Sequence, residues 1–268
     1  MPRVSMTDDA ELAAIRAETG GRLGVHALDT ATGATLSLDA SARYAMCSTF
    51  KAPLAAAILA EVDAGRVQLD QPVRFTRADL ITHAPVVEAA LAKGELSVEE
   101  LCKGTVEVSD NVAANLLLPL IGGPAGFTRF SRSHGDSVTR LDRIEPELNV
   151  VRNGDLRDTT TPAAMVALMR AFLIGDALTQ ASRERLIGWM VASPTGRERL
   201  RARLPADWRA GDKTGTSGEG YFNDIAIFWP PNRAPILVAC YLDAPGLDPK
   251  QANAAHAAVG ALIARRFA

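Results

Sequence analysis

"MCSTFKAPLAAAILAEV", residues 46 to 62, decides the architecture of this chain. From Ala52 onward it consists mostly of good helix formers, and no polar stripe interrupts it. A helix that is apolar on all sides is buried on all sides. Yet a serine, a threonine and a lysine stand at its mouth. Ser48 and Lys51 are three residues apart, so a helix places them on one face. At a helix N-terminus the Ser48 hydroxyl lies near backbone N–H groups that have no intrahelical partner. A neutral or hydrogen-bonded Lys51 amine can take the serine proton and so activate a nucleophile. Ser-x-x-Lys alone carries little weight, because a capped core helix with a snorkelling lysine has the same pattern.

Working outward, Thr7-Asp8-Asp9 predicts a capped helix that stops at Gly20. Two strands follow, 22–29 and 35–38, joined by a loop over Thr30-Ala31-Thr32-Gly33. From Thr49 to about Val191 the pattern is mainly helical, with a capping box at Ser97–Glu100 and a Thr161-Pro162 helix start. Strand signals return at 208–213, 224–229 and 236–242, and a last helix runs from Pro249 to Phe267. Strands at both ends with helices between them imply an α/β (α+β) fold. One antiparallel five-stranded sheet is built from both termini and flanked by the N- and C-terminal helices, with an all-helical subdomain inserted. The expected division is a sheet subdomain of 1–42 and 192–268 and a helical subdomain of 43–191, within a single domain. A site is expected in the cleft between them.

The 268 residues are 47% hydrophobic and 22% charged, with a net charge of −2. That balance gives no long-range attraction to nucleic acid or to an anionic membrane. The longest apolar runs, 52–60 and 234–242, fall far short of the ~18–20 residues of a membrane span. Residues 1–9 contain no apolar h-region, so no signal peptide is expected in this chain. The three cysteines and four histidines show no metal-ligand spacing, and no cofactor is expected.

Two further tripeptides give Ser48-x-x-Lys51 its meaning. Ser109-Asp110-Asn111 lies between two predicted helices, and Lys213-Thr214-Gly215 ends a predicted strand. Ser-x-x-Lys, Ser-Asp-Asn and Lys-Thr-Gly in this order resemble the serine β-lactamase and penicillin-binding protein superfamily. Glu145-Pro146-Glu147-Leu148-Asn149 is similar to the Glu-x-x-x-Asn element of the class A Ω-loop, within the otherwise aperiodic stretch 141–160. Arg143 and Asp158 stand where that family pins the loop with an ion pair. Residues 157–162 and 223–230 are also family-like, so the resemblance spans nearly the whole chain and is strongest to class A β-lactamases.

The resemblance implies hydrolysis of β-lactam antibiotics through a serine acyl-enzyme, conferring resistance. Ser48 attacks, and the backbone N–H groups of Ser48 and Thr216 hold the oxyanion. Lys51, Ser109 and Lys213 pass a proton to the ring nitrogen. Lys213, Thr214 and Thr216, on either side of Gly215, take the substrate carboxylate, and Asn111 takes its side-chain amide. Glu145 and Asn149 hold the hydrolytic water. Lys51 and Glu145, acting through water, both remain candidates for the acylation base. The residue before Pro146 is expected in a cis peptide bond.

Departures from the family pattern matter too. Many relatives carry a carboxylate-binding arginine on the strand after Lys-Thr-Gly, but here that strand begins Tyr221-Phe222-Asn223, and Arg199 is the expected substitute, with Arg201 second. His83 occupies a cleft-edge position that is often aromatic. Cys102 matches one partner of a common disulfide, but Ala55 stands at the other. Cys47 matches one partner of a bridge found in some carbapenem-hydrolysing relatives, but Ser217 stands at the other, so three free thiols are expected. The resemblance implies a periplasmic or secreted monomer acting on small-molecule β-lactams, with neither nucleic acid nor membrane as partner. A penicillin-binding DD-peptidase or a non-hydrolysing β-lactam sensor shares Ser48 and Lys51 but has no use for Glu145 and Asn149.

Overall fold

The computed structural model describes residues 7–150 and 154–268. The N-terminal residues 1–6 and residues 151–153 of the predicted loop lie outside the described residues. The strands are β1 (Arg22–Asp29), β2 (Thr35–Leu38), β3 (Tyr44–Ala45), β4 (Pro72–Arg74), β5 (Glu95–Ser97), β6 (Thr159–Thr160), β7 (Arg209–Thr216), β8 (Tyr221–Trp229) and β9 (Ile236–Asp243). The helices are α1 (Asp8–Thr19), α2 (Lys51–Asp63), α3 (Pro85–Ala89), α4 (Val98–Glu107), α5 (Asn111–Leu117), α6 (Gly123–Ser133), α7 (Pro162–Leu173), α8 (Gln180–Ala192) and α9 (Pro249–Phe267).

Five strands form one antiparallel sheet in the order β2-β1-β9-β8-β7, as the sequence pattern implies. Strand β9 shows how it is buried. Ile236, Val238, Cys240 and Leu242 face one core, and Leu237, Ala239 and Tyr241 face another. A period of two with apolar residues on both faces requires a layer on each side. On one side lie Leu12 and Ile15 of α1 and Val259, Leu262, Ile263 and Phe267 of α9. On the other lie α2, α4, α7 and α8, with Phe50, Leu54, Ile58, Leu101, Met165, Met169 and Met190. Residues 51 to 59 of α2 are all buried, as its all-round apolar sequence predicts.

Local signals set most of the helix ends. The Thr7 hydroxyl accepts from Ala10 N, and Gly20 closes α1 at φ 63°. Ser97 and Glu100 form the capping box of α4.

Three features differ from the sequence pattern. The 49–191 stretch is not helical throughout: β4 pairs with β5, and β3 with β6. Strands β7 and β8 extend to Thr216 and from Tyr221, because Thr214, Gly215 and Thr216 pair with Asp224, Asn223 and Phe222 although they lack apolar alternation. The segment 47–50, which carries Ser48, is a 3-10 turn that leads into α2 at Lys51.

Because the sheet is buried on both faces, neighbouring residues of β9 serve different cores. Ile236→Ala and Leu237→Ala should each destabilise the protein by about 2–5 kcal/mol. Urea denaturation checks this; a negligible effect at either position would contradict the three-layer packing.

Candidate active site

The site lies where the 3-10 turn 47–50, the α4–α5 link, the 141–160 loop and the end of β7 converge. Ser48, His83, Ser109, Asn111, Asn149, Thr195, Thr214 and Thr216 line a cavity of about 300 Å³. A larger cavity of about 800 Å³, beside Arg22, Tyr44 and Asp243, contains none of these groups.

Lys51 is fully buried at the centre. Its Nζ lies 3.0 Å from Ser48 Oγ, 2.8 Å from Ser109 O, 3.3 Å from Ser109 Oγ and 2.5 Å from Asn111 Oδ1. Glu145 Oε1 is 3.0 Å away, and both side chains of this ion pair are buried. Burial lowers the Lys51 pKa, while the Glu145 charge and hydrogen bond act in the opposite direction.

Lys213 is also buried, donating to Thr214 O at 2.8 Å. Its pKa is lowered to about 7, first by burial and then by the charge of Lys51. The Thr214 hydroxyl donates to Thr195 Oγ1 at 2.9 Å. Gly215 has no room for a side chain: a Cβ there would lie 2.9 Å from Met46 O and 3.1 Å from Ser48 N. The glycine therefore lets β7 press against the nucleophile turn.

Three non-glycine residues in left-handed backbone conformations border the cleft: Cys47 at φ 44°, His83 at 60° and Ser109 at 62°. Such conformations cost roughly 1–3 kcal/mol each and persist only where the surroundings over-determine them. Here the restraints are visible. Asp110 accepts from the N–H groups of Val86, Val87 and Ala113, which binds the Ser109 turn to α3 and α5. Asn111 N donates to His83 O, and its Nδ2 to Thr82 O. The exposed His83 ring contacts Val108 O through Nε2 at 2.8 Å.

The 141–160 segment is anchored at both ends. Arg143 Nε pairs with Asp158 Oδ2 at 2.5 Å, and Asp158 Oδ1 accepts from the N–H groups of Asp142 and Arg143. Asn115 clamps Glu145 by accepting from its N–H and donating to its carbonyl. The Glu145–Pro146 peptide bond is cis. Asn149 Nδ2 donates to Glu145 Oε2 at 2.5 Å, while Asn149 Oδ1 is buried with no partner among the described residues.

The structure separates the two candidate arginines. Arg201 Nε is 2.7 Å from buried Asp212, which occupies it. Arg199 is buried behind the end of β7, donating to Gly215 O, Asn223 O, Thr216 Oγ1 and Asn253 Oδ1. It does not line the cavity and reaches it through Thr216. Cys47, Cys102 and Cys240 are free and buried. Among the described residues no acidic, histidine or cysteine cluster suits a metal ion, and no helix is long and apolar enough to cross a membrane.

Asn115 and Thr195 were not singled out in the sequence. Asn115 left a faint signal, a polar residue four positions after Asn111 on an otherwise apolar helix face. Thr195 left none, because it enters the site only through the folding back of the segment after α8.

Residues 9–267 match the model of the family described as "Beta-lactamase enzyme family". The chain is 47% identical to β-lactamase FAR-1 of Nocardia farcinica over 86% of this chain and 73% of that protein. It is 45% identical to the carbapenem-hydrolysing β-lactamase KPC of Klebsiella oxytoca, over 93% and 85%. Among solved structures, an ancestral class A β-lactamase superposes with TM-score 0.95 at 53% identity, covering 97% of this chain and all of that one. A β-lactamase from Xanthomonas campestris gives 0.94 at 49% identity, covering 96% of each chain.

Asp158 is buried and Arg143 partly exposed, so removing the carboxylate leaves the guanidinium and two loop N–H groups without their acceptor, and the loss falls on one loop. Asp158→Asn should therefore speed amide hydrogen exchange across 144–150 by ~10-fold or more while leaving α9 protected. Unchanged exchange in the loop would show that the pair does not hold it.

Proposed function

This chain belongs to the class A β-lactamases and hydrolyses β-lactams, and from that premise we propose how its own residues divide the work. Ser48 is the nucleophile. Lys51, whose Nζ contacts Ser48 Oγ directly, takes the serine proton in its neutral amine form, which burial favours by lowering its pKa. The proton returns to the lactam nitrogen through Ser109, which Lys51 also touches. The N–H groups of Ser48 and Thr216 stabilise the oxyanion that forms as the ring opens.

Lys213, Thr214 and Thr216 bind the ring carboxylate, and Arg199 adds its charge at one remove through Thr216 Oγ1. Asn111 binds the side-chain amide, and His83 forms the outer rim. Glu145 is the base that activates water against the acyl-enzyme, and Asn149 is the second anchor of that water. The observation that carries this reading is the arrangement of Glu145 and Asn149. One carboxylate oxygen of Glu145 is paired with Lys51 and the other accepts from Asn149, which leaves Asn149 Oδ1 buried and able to accept a water proton. A peptidase or a sensor that keeps its acyl group has no need of this pair.

We further propose that residues 1–268 work as one domain, with a sheet subdomain of 1–42 and 192–268 and a helical subdomain of 43–191, and that the protein is a monomer, since one chain supplies every group in the site. Membership in this family supports a periplasmic or secreted location. The hydrolysis of carbapenems named for the Klebsiella relative is not assigned to this chain.

Loss of a general base slows a step by roughly 10²–10⁴-fold. Glu145→Ala should still be acylated at Ser48 by a good penicillin and then stall by that factor, with the adduct persisting in intact-mass spectra. Turnover at the wild-type rate would remove Glu145 from deacylation. Ser48→Ala should form no adduct at all.

Lys213 supplies a pH test. Its pKa lies at about 7, so it is cationic below that pH and loses its charge as pH rises through it. If it binds the substrate carboxylate, kcat/KM for a penicillin should fall on the alkaline side with a midpoint near 7. Lys213→Arg stays charged and should move that limb to higher pH. A profile identical in both proteins would assign the limb to another group.

A further inference from the structure

The two N–H groups assigned to the oxyanion belong to different parts of the chain. Ser48 sits on the turn before α2, and Thr216 at the end of β7. The separation of those two elements sets whether both donors can reach one oxygen. Gly215 permits close approach, but a glycine exerts no pull.

Asn223 supplies a link. It lies on β8 directly opposite Gly215 and is buried. Its Nδ2 donates to Ala45 O at 2.9 Å and to Met46 O at 3.2 Å, the two carbonyls that lead into Cys47 and Ser48. Only the amide nitrogen can face two carbonyl oxygens, so the orientation of the side chain is fixed. Met46 O also accepts from Thr49 N at 3.2 Å and Thr49 Oγ1 at 2.7 Å, and Thr49 Oγ1 contacts Tyr241 OH at 3.2 Å. The turn that holds Cys47 at φ 44° is thus tied to β8 through Asn223 and to β9 through Thr49.

Asn223 also has a cost that packing alone does not explain. Asparagine is a poor strand former, and its Oδ1 is buried without a partner among the described residues. An apolar residue would fill the space without that loss. What an apolar residue lacks is two donors aimed at the nucleophile turn.

We propose that Asn223 is a positioning residue that sets the width of the oxyanion hole, an inference that rests on the assignment of the hole to the N–H groups of Ser48 and Thr216. Its amide draws the carbonyls of Ala45 and Met46 toward β8. This presses the Ser48 turn onto Gly215 and aims the Ser48 N–H at the point that Thr216 N also faces. The substrate never touches it.

The test uses the whole protein and three readouts: kcat and KM separately, the melting temperature, and, in proteins that also carry Glu145→Ala so that the adduct persists, the infrared carbonyl stretch of the penicilloyl ester at Ser48. Hydrogen bonding in the hole lowers that stretch, and a merely structural role would not move it. Removing one oxyanion donor outright costs about 10²–10³-fold in kcat, so loosening one should cost roughly 10–10²-fold. Asn223→Ala should lose kcat by that amount and shift the ester band to higher wavenumber. Asn223→Ser, which retains one donor, should fall between Ala and wild type in both. A lower melting temperature with kcat and the ester band unchanged would overturn the proposal. If Asn223→Ala does not fold, Asn223→Ser decides the matter, and an unshifted band there overturns it equally. A penicillin adduct on Ser48→Ala would instead bring down the underlying assignment of the nucleophile, whatever the Asn223 variants do.

Discussion

A buried ammonium organises this molecule. Lys51 has no solvent exposure and holds three protons at most, yet five acceptor atoms lie within 3.3 Å of its Nζ. Taking such a charge out of water costs several kcal/mol unless its partners are well placed. The partners come from separate segments: Ser48 from the 3-10 turn, Ser109 and Asn111 from the α4–α5 link, and Glu145 from the 141–160 loop. Each segment must therefore be held in place by something other than the lysine. Asp110 holds the link, Asn115 and the Arg143–Asp158 pair hold the loop, and the sheet holds the turn. The same crowding serves chemistry, because a proton on Nζ is within one hydrogen bond of the nucleophile, of a second serine and of a carboxylate.

Much of this was legible in the sequence, because the signals were local. The greasy run after Lys51 announced a central helix, and the apolar run 236–242 announced a strand. The Ser-x-x-Lys, Ser-Asp-Asn, Lys-Thr-Gly and Glu-x-x-x-Asn elements led to the family through residue types that chemistry constrains. What was illegible depends on residues far apart in the chain. Arg199 and Arg201 sit two positions apart in one loop, and the sequence ranks Arg199 first without showing what either touches. In the fold, buried Asp212 occupies Arg201, while Arg199 passes behind β7 to Thr216. The ends of β7 and β8 were missed because Thr214, Gly215 and Asn223 lack the apolar alternation that marks a strand, although the fold buries them.

The rigid parts and the strained parts are arranged with purpose. The sheet and α2 are packed on all sides, and against them stand three left-handed residues, Cys47, His83 and Ser109, at the edges of the cleft. A well-packed scaffold can hold such backbone, and that backbone aims N–H and O–H groups at one point. In the proposed division of labour, acylation rests on Ser48, Lys51, Ser109 and the end of β7, and the distinction between an enzyme that clears its acyl group and one that keeps it rests on Glu145 and Asn149.

The central claim is that burial lowers the pKa of Lys51, favouring the neutral amine that can take the serine proton, and that Glu145 is the chief group opposing this shift. Its titration can be followed directly by nuclear magnetic resonance of the lysine side chain, in wild type and in Glu145→Gln. The account predicts a Lys51 pKa below the ordinary lysine value of about 10.5, and a further drop when Glu145 is neutralised, because burial then acts unopposed. A Lys51 that titrates like a solvent-exposed lysine, or one that does not respond to Glu145→Gln, would contradict it.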